Sequence, residues 1–157
     1  MSKVIFLDID GVLNNSNHTL KLINLLGMEQ YYQLNKDLGE LPFDYESCVL
    51  LHKLIKKTQA EIILSSTWRI SPYLIKGIER YANIEIKDIT PKLGFEAIRG
   101  NEIQQYLDTH KEITNYVILD DDKDMLENQL NHFVNTDWKV GFCKADYDKA
   151  LKILKEE

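Results

Sequence analysis

The chain has 157 residues, enough for one domain, and its 44% hydrophobic and 28% charged content excludes a wholly disordered protein. Twenty-five acidic against nineteen basic residues leave a net charge of −6, which disfavours non-specific binding to nucleic acid or an anionic membrane. No apolar run approaches the roughly 18 residues that cross a bilayer, and the N-terminus meets Asp8 after only four apolar residues, too soon for a secretory leader.

In chain order, the first apolar run is Val4-Ile5-Phe6-Leu7, which ends at Asp8. Residues 14–43, rich in Asn, Leu and Tyr, fit neither strand nor helix alternation and read as an insertion. Asp44 is suited to cap a helix whose face carries Cys48, Leu51, Leu54 and Ile55, with Lys53, Lys56 and Lys57 turned elsewhere. Ile62-Ile63-Leu64 forms a second run before Ser65, and Ile84 to Ile89 a strand that Thr90-Pro91 ends. A helix is predicted from Asn101, with Gln104 completing a capping box and Ile103, Tyr106 and Leu107 as its stripe. Tyr116-Val117-Ile118-Leu119 is the third run, before Asp120; helices are predicted over about 123–130 and around Tyr147, Ala150, Leu151 and Leu154.

Unbroken β-branched and aromatic runs suggest strands buried on both faces, and strands alternating with helices imply an open, mostly parallel α/β sheet. No repeat or linker divides the chain, so one domain over residues 1–157 is expected, with a small insertion at about 14–43. Cys48 and Cys143 belong to no CxxC or CxxH pattern. They read as buried free thiols of a cytoplasmic protein, and not as zinc ligands.

In open parallel sheets ligands bind at the carboxyl ends of the strands. Those ends carry Asp8-Ile9-Asp10-Gly11, Ser65-Ser66-Thr67-Trp68-Arg69 and Asp120-Asp121-Asp122-Lys123-Asp124. Residues i and i+2 of an extended segment share a side, so Asp8 and Asp10 face one site while Gly11 permits a sharp exit. Carboxylates gathered from two strand ends repel one another, and a divalent cation with hard oxygen ligands, Mg²⁺ above all, resolves the repulsion. Asp8, Asp10, Asp120 and Asp121 are the candidate ligands; Asp122 and Asp124 suit capping of the next helix as well as ligation, and Asp124 is kept with the ligand set.

Val-Ile-Phe-Leu-Asp-Ile-Asp-Gly-Val-Leu resembles the first motif of the haloacid dehalogenase (HAD) superfamily, Ile-Ile-Leu-Ser-Ser-Thr-Trp-Arg its second and Tyr-Val-Ile-Leu-Asp-Asp-Asp its fourth. The Ser-Ser-Thr-Trp-Arg string, Arg-Gly-x-Glu-Ile and the late Val-Asn-Thr-Asp-Trp stretch resemble more particularly the short HAD domain of Swiss army knife RNA-repair proteins. The resemblance implies a three-layer, Rossmann-like fold with a minimal cap insertion. It implies a Mg²⁺-dependent phosphomonoesterase in which Asp8 attacks phosphorus to form an aspartyl-phosphate and Asp10 is general acid, then general base. Ser65 would donate its hydroxyl to a phosphoryl oxygen, with Ser66 and Arg69 as further phosphate contacts. Mg²⁺ would be held by the Asp8 carboxylate, the Asp10 carbonyl and the acidic cluster at 120–124.

The third motif, a cation, has two candidates, Arg99 and Lys92. Arg99 precedes a predicted helix start, where a bound phosphate would favour it, and a guanidinium grips two oxygens at once. Trp68 suits stacking on a ring or burial in the core equally. None of the four histidines has ligand spacing; His52 and His110 read as surface residues. The insertion is too short for a full cap domain, which favours a large phosphorylated substrate such as a polynucleotide end or a phosphoprotein. Tyr31, Tyr32 and Phe43 are candidates to line the mouth. Two other functions compete: a metal-dependent nuclease or phosphodiesterase using the same carboxylates, and an inactive binding module on the same fold.

Overall fold

The computed structural model describes residues 2–38, 43–94 and 96–156. Five parallel strands lie in the order β3-β2-β1-β4-β5: β1 is Ser2–Leu7, β2 Glu61–Leu64, β3 Ile86–Ile89, β4 Ile113–Asp120 and β5 Phe133–Asn135. Leu7 pairs with Leu64 of β2 and with Leu119 of β4, so the three apolar runs end level with one another. β1 is central, and the chain moves outward through β2 and β3 before crossing back to β4 and β5. That reversal beside β1 is the switch point at which such sheets bind ligands.

Alternation along β1 divides the core. Ile5 and Leu7 pack with Leu51 and Leu54 of α3 (Tyr45–Thr58), Ile78 of α4 (Pro72–Ala82), and Ala150 and Leu154 of α6 (Lys144–Lys155). Val4 and Phe6 point to the opposite face, against Ile103 and Tyr106 of α5 (Arg99–Thr109). The result is the three-layer, Rossmann-like architecture expected from the sequence, with every strand pair parallel. Asp44 caps α3 by accepting from the Glu46 N–H.

Four elements were not anticipated. Residues 16–38 hold two helices, α1 (Ser16–Leu26) and α2 (Met28–Leu38), whose apolar residues serve a hairpin rather than the sheet; α1 buries none of them. α4 follows Ser71, whose hydroxyl accepts from the Leu74 N–H, and begins at Pro72, a start signal the sequence contained. β5 is only three residues long.

Three boundaries differ from expectation. β3 begins at Ile86 because left-handed Asn83 ends α4 and Ile84 N–H bonds back to Glu79 O. α5 begins at Arg99, not Asn101, and no side chain of its own caps it; Asp124 from across the site accepts from Arg99 N–H at 2.9 Å. No helix starts at 123, because Asp124 is spent on α5 and Gln129 spans Leu126 N–H and Gly100 O; a 3₁₀ turn at Glu127–His132 results. Gly100 permits this approach: a Cβ there would lie 2.6 Å from Leu126 N. Cys48 is buried and Cys143 half-buried, both as free thiols. Among the described residues no helix is long and apolar enough to cross a membrane.

Candidate active site

Each parallel strand passes its hydrogen-bond ladder into the loop that follows. Asp8 N–H donates to Leu119 O (3.0 Å), Ser65 N–H to Leu7 O (2.9 Å) and Thr136 N–H to Asp120 O (3.0 Å). These bonds set Asp8, Ser65 and Asp120 side by side on the carboxyl edge of the sheet. Carboxylate oxygens of Asp8, Asp120 and Asp121 all lie within 4.8 Å of one another. Ile9 is fully buried and anchors the turn, while Gly11 leaves it at φ +70°. A Cβ on Gly11 would fall 2.5 Å from the Asp121 carboxyl, so glycine is needed there for space as well as for backbone angle.

Burial pushes Asp8 up to about 6, with Arg99 and the Ser66 hydroxyl opposing and the Asp10 charge adding to it. Asp120 is pushed up to about 8, first by burial and then by the neighbouring Asp8 charge, with Arg99 again opposing. Asp121 is raised by burial and by Asp122. Asp120 Oδ2 is buried and receives no hydrogen bond, although Arg99 Nε lies 3.4 Å away. Hard oxygen donors, mutual repulsion and an orphaned carboxylate oxygen together fit a divalent cation.

Arg99, at the first turn of α5, sends its guanidinium into this cluster, with Nη2 3.8 Å from Asp8 Oδ1. Its side chain is only 12% exposed. Lys92 lies on the exposed loop after β3, lining a cavity of about 420 Å³ that Arg99 also reaches. Geometry therefore favours Arg99 as the cation beside Asp8. Asp124 stands outside the trio, at the head of α5, where its second oxygen, Oδ1, is buried without a partner.

Asp10 is exposed and gripped through both oxygens: Trp68 Nε1–H donates to Oδ2 at 2.8 Å and Asn14 Nδ2 to Oδ1 at 2.7 Å. Asn14 in turn accepts from Gly11 N–H at 3.0 Å. Trp68 is half-buried against the core with its ring 6.1 Å from Phe43. Neither sequence reading of Trp68, free stacking platform or plain core residue, included this bond.

Ser65 is fully buried and its hydroxyl has no protein partner, as a donor reserved for a ligand would be. Ser66 caps the 3₁₀ turn at Thr67–Ile70. Arg69, expected as a phosphate contact, spends its terminal nitrogens within the protein and keeps a buried Nε without a partner. It is buried, Nη1 donates to Ser65 O and Ser66 O at 2.8 Å each, and Nη2 donates to Glu102 Oε2 at 2.6 Å and to Pro91 O at 3.4 Å. With both terminal nitrogens committed, Arg69 braces the Ser65–Ser66 loop from behind. Glu102 completes the brace by accepting Leu93 N–H on Oε1 at 3.2 Å.

Sequence reasoning missed four supporting residues: Asn14, Glu102, Asn135 and Thr136. Asn135 Nδ2 donates to Asp121 O (2.7 Å) and Asp120 O (3.2 Å), and Thr136 Oγ1 to Gly11 O (2.8 Å), tying the two acidic loops together. The signal was present in the Arg-Gly-x-Glu-Ile and Val-Asn-Thr-Asp-Trp strings. His52 and His110 are half-buried and tied down: His52 Nε2 lies 2.7 Å from Ala82 O, and His110 stacks on Tyr106 at 3.9 Å.

Above Asp10 and Asp121 opens a cavity of about 650 Å³, walled by α1, α2 and the turn bearing Trp138. Tyr31 and Tyr32 line it; Phe43 does not, being packed on Trp68. A family model described as the HAD domain in Swiss Army Knife RNA repair proteins matches residues 4–147. No curated protein and no solved structure matches the chain.

Proposed function

The chain belongs to the family of HAD domains in Swiss Army Knife RNA repair proteins, and we propose that this HAD-type hydrolase is a phosphomonoesterase that works through an aspartyl-phosphate on Asp8. One observation carries the reading. Asp8 is buried at the end of the central strand, beside Asp120 and Asp121, with Arg99 and the unpartnered Ser65 hydroxyl converging on the same edge.

Asp8 attacks phosphorus as the bond to the ester oxygen breaks, and Asp10 hands its proton to that departing oxygen. Asp10 then takes a proton from the incoming water, whose oxygen displaces Asp8 and releases inorganic phosphate. Arg99 and Ser65 bind the non-bridging oxygens, the first bringing charge and the second a hydrogen bond. Asp8, Asp120 and Asp121 would hold Mg²⁺, with the Asp10 carbonyl as a further donor; the cation offsets the repulsion between carboxylates and phosphate. Arg69 and Glu102 take no part in the chemistry and hold Ser65 in place.

A two-helix cap leaves the mouth open, which supports a phosphate carried on a large molecule. The family's description supports a polynucleotide end over a phosphoprotein. The test is Asp8→Asn, assayed with p-nitrophenyl phosphate and a terminally phosphorylated oligonucleotide in millimolar Mg²⁺. Turnover is expected to fall at least about a thousandfold while divalent-ion binding, weakened by the loss of one charge, largely persists through Asp120 and Asp121. Retention of a tenth of the activity refutes a covalent route and favours a nuclease-like use of the same carboxylates.

A further inference from the structure

The cavity above Asp10 has a composition that limits what can enter it. An acid that protonates the leaving oxygen must touch it, so whatever is esterified to the phosphate begins at Asp10 and extends into the space that Asp10 borders. That space, about 650 Å³, is lined by two carboxylates, Asp10 and Asp121, and by no Lys, Arg or His among the described residues. Lys139 stands over the Trp138 ring, 5.4 Å from its centre, without lining the cavity. A second phosphate or a carboxylate carried into this space would find no basic side chain on its walls to pair with.

The walls have a different character. Tyr31, Tyr32 and Trp138 contribute rings, with Tyr32 63% and Trp138 55% exposed. Asn35 lies one helical turn from Tyr31 and Tyr32, on the same face of α2, and its Oδ1 is buried with no donor. Exposed rings offer stacking to a flat partner, and an orphaned amide oxygen asks for an N–H or O–H.

Resting on the phosphatase reading above, we propose that this cavity is the leaving-group subsite and that it takes one uncharged nucleoside, its base against the rings and a donor of the base on Asn35. Preferred substrates are then nucleoside monophosphates, free or at the end of a polynucleotide, whose chain continues out of the open mouth.

The test compares kcat/KM of the full chain in Mg²⁺ for adenosine 5′-monophosphate, ribose 5-phosphate, glycerol phosphate and 3-phosphoglycerate. Adenosine monophosphate is expected to exceed ribose 5-phosphate at least about tenfold, the scale of one stacked base. Glycerol phosphate is expected to exceed the negatively charged phosphoglycerate by a similar factor. Tyr32→Ala, Trp138→Ala and Asn35→Ala should each lower the adenosine monophosphate to ribose 5-phosphate ratio at least threefold. A terminally phosphorylated oligonucleotide turned over faster than the mononucleotide identifies the polynucleotide source, and the reverse identifies the free one; the subsite stands in both cases. A wild-type ratio near one, with both substrates hydrolysed in an Asp8-dependent manner, overturns the subsite and leaves the phosphatase intact. Failure to hydrolyse any of these, p-nitrophenyl phosphate included, overturns both.

Discussion

Removing the Glu102 carboxylate isolates a charge in the protein interior. Arg69 and Glu102 meet at 2.6 Å with side chains 5% and 8% exposed. Burial depresses the Arg69 pKa and Glu102 opposes that depression. Glu102→Ala leaves the guanidinium without its counter-ion and Leu93 N–H without its acceptor. Breaking one side of such a pair costs about 3–5 kcal/mol, because the remaining charge stays desolvated. With an unfolding entropy of about 2.1 cal/mol/K per residue, a domain of this length has roughly 0.33 kcal/mol/K, so Tm is expected to fall by about 9–15 °C. Thermal unfolding followed by circular dichroism at pH 7 measures it. The loss should be the same at low and high salt, since a pair this enclosed is little screened. Glu102→Gln, which keeps acceptor and shape, should lose less. Because Arg69 grips the Ser65 and Ser66 carbonyls, the folded fraction of Glu102→Ala should also show a lowered kcat, by about tenfold or more. A Tm loss below about 3 °C refutes the claim that Arg69 depends on Glu102.

Two further expectations concern protons. Asp120 near 8 and Asp8 near 6 both stand above the ordinary carboxylate value of 3.8. The folded, metal-free protein therefore binds more protons than the unfolded chain between about pH 4 and 8, and its stability should fall as pH rises through that window. Ligation needs ionised carboxylates, so Mg²⁺ affinity should rise from pH 5.5 to 8.5, with close to one proton released per ion at pH 7. Titration calorimetry in buffers of different ionisation enthalpy measures the release; a pH-independent affinity without release contradicts the assignment. Trp68→Phe removes the N–H that holds Asp10, so poor leaving groups should suffer most: about tenfold in kcat for an alkyl phosphate, under threefold for p-nitrophenyl phosphate. Equal losses on both would make Trp68 a packing residue only.

Apolar runs of three or four residues ending in Asp or Ser made three strands and the edge they share legible from composition and order alone, because burial on both faces tolerates few other patterns. The place of Asp8, Asp10, Ser65 and the acidic group at 120 on that edge was readable for the same reason: a residue at a strand end follows directly from the strand. Arg69 was only half legible, since one sequence position lends itself equally to phosphate contact and to bracing a loop. The bracing bonds depend on Glu102, 33 residues away and brought close by α5. The helices of residues 16–38 and β5 went unread, since α1 buries no residue against the sheet and β5 is only three residues long. Local pattern determined the strands and the side chains at their ends; only the folded chain decided which polar partners those side chains meet, because hydrogen bonds across 58 residues, as from Trp68 to Asp10, are chosen by packing geometry and not by neighbouring sequence.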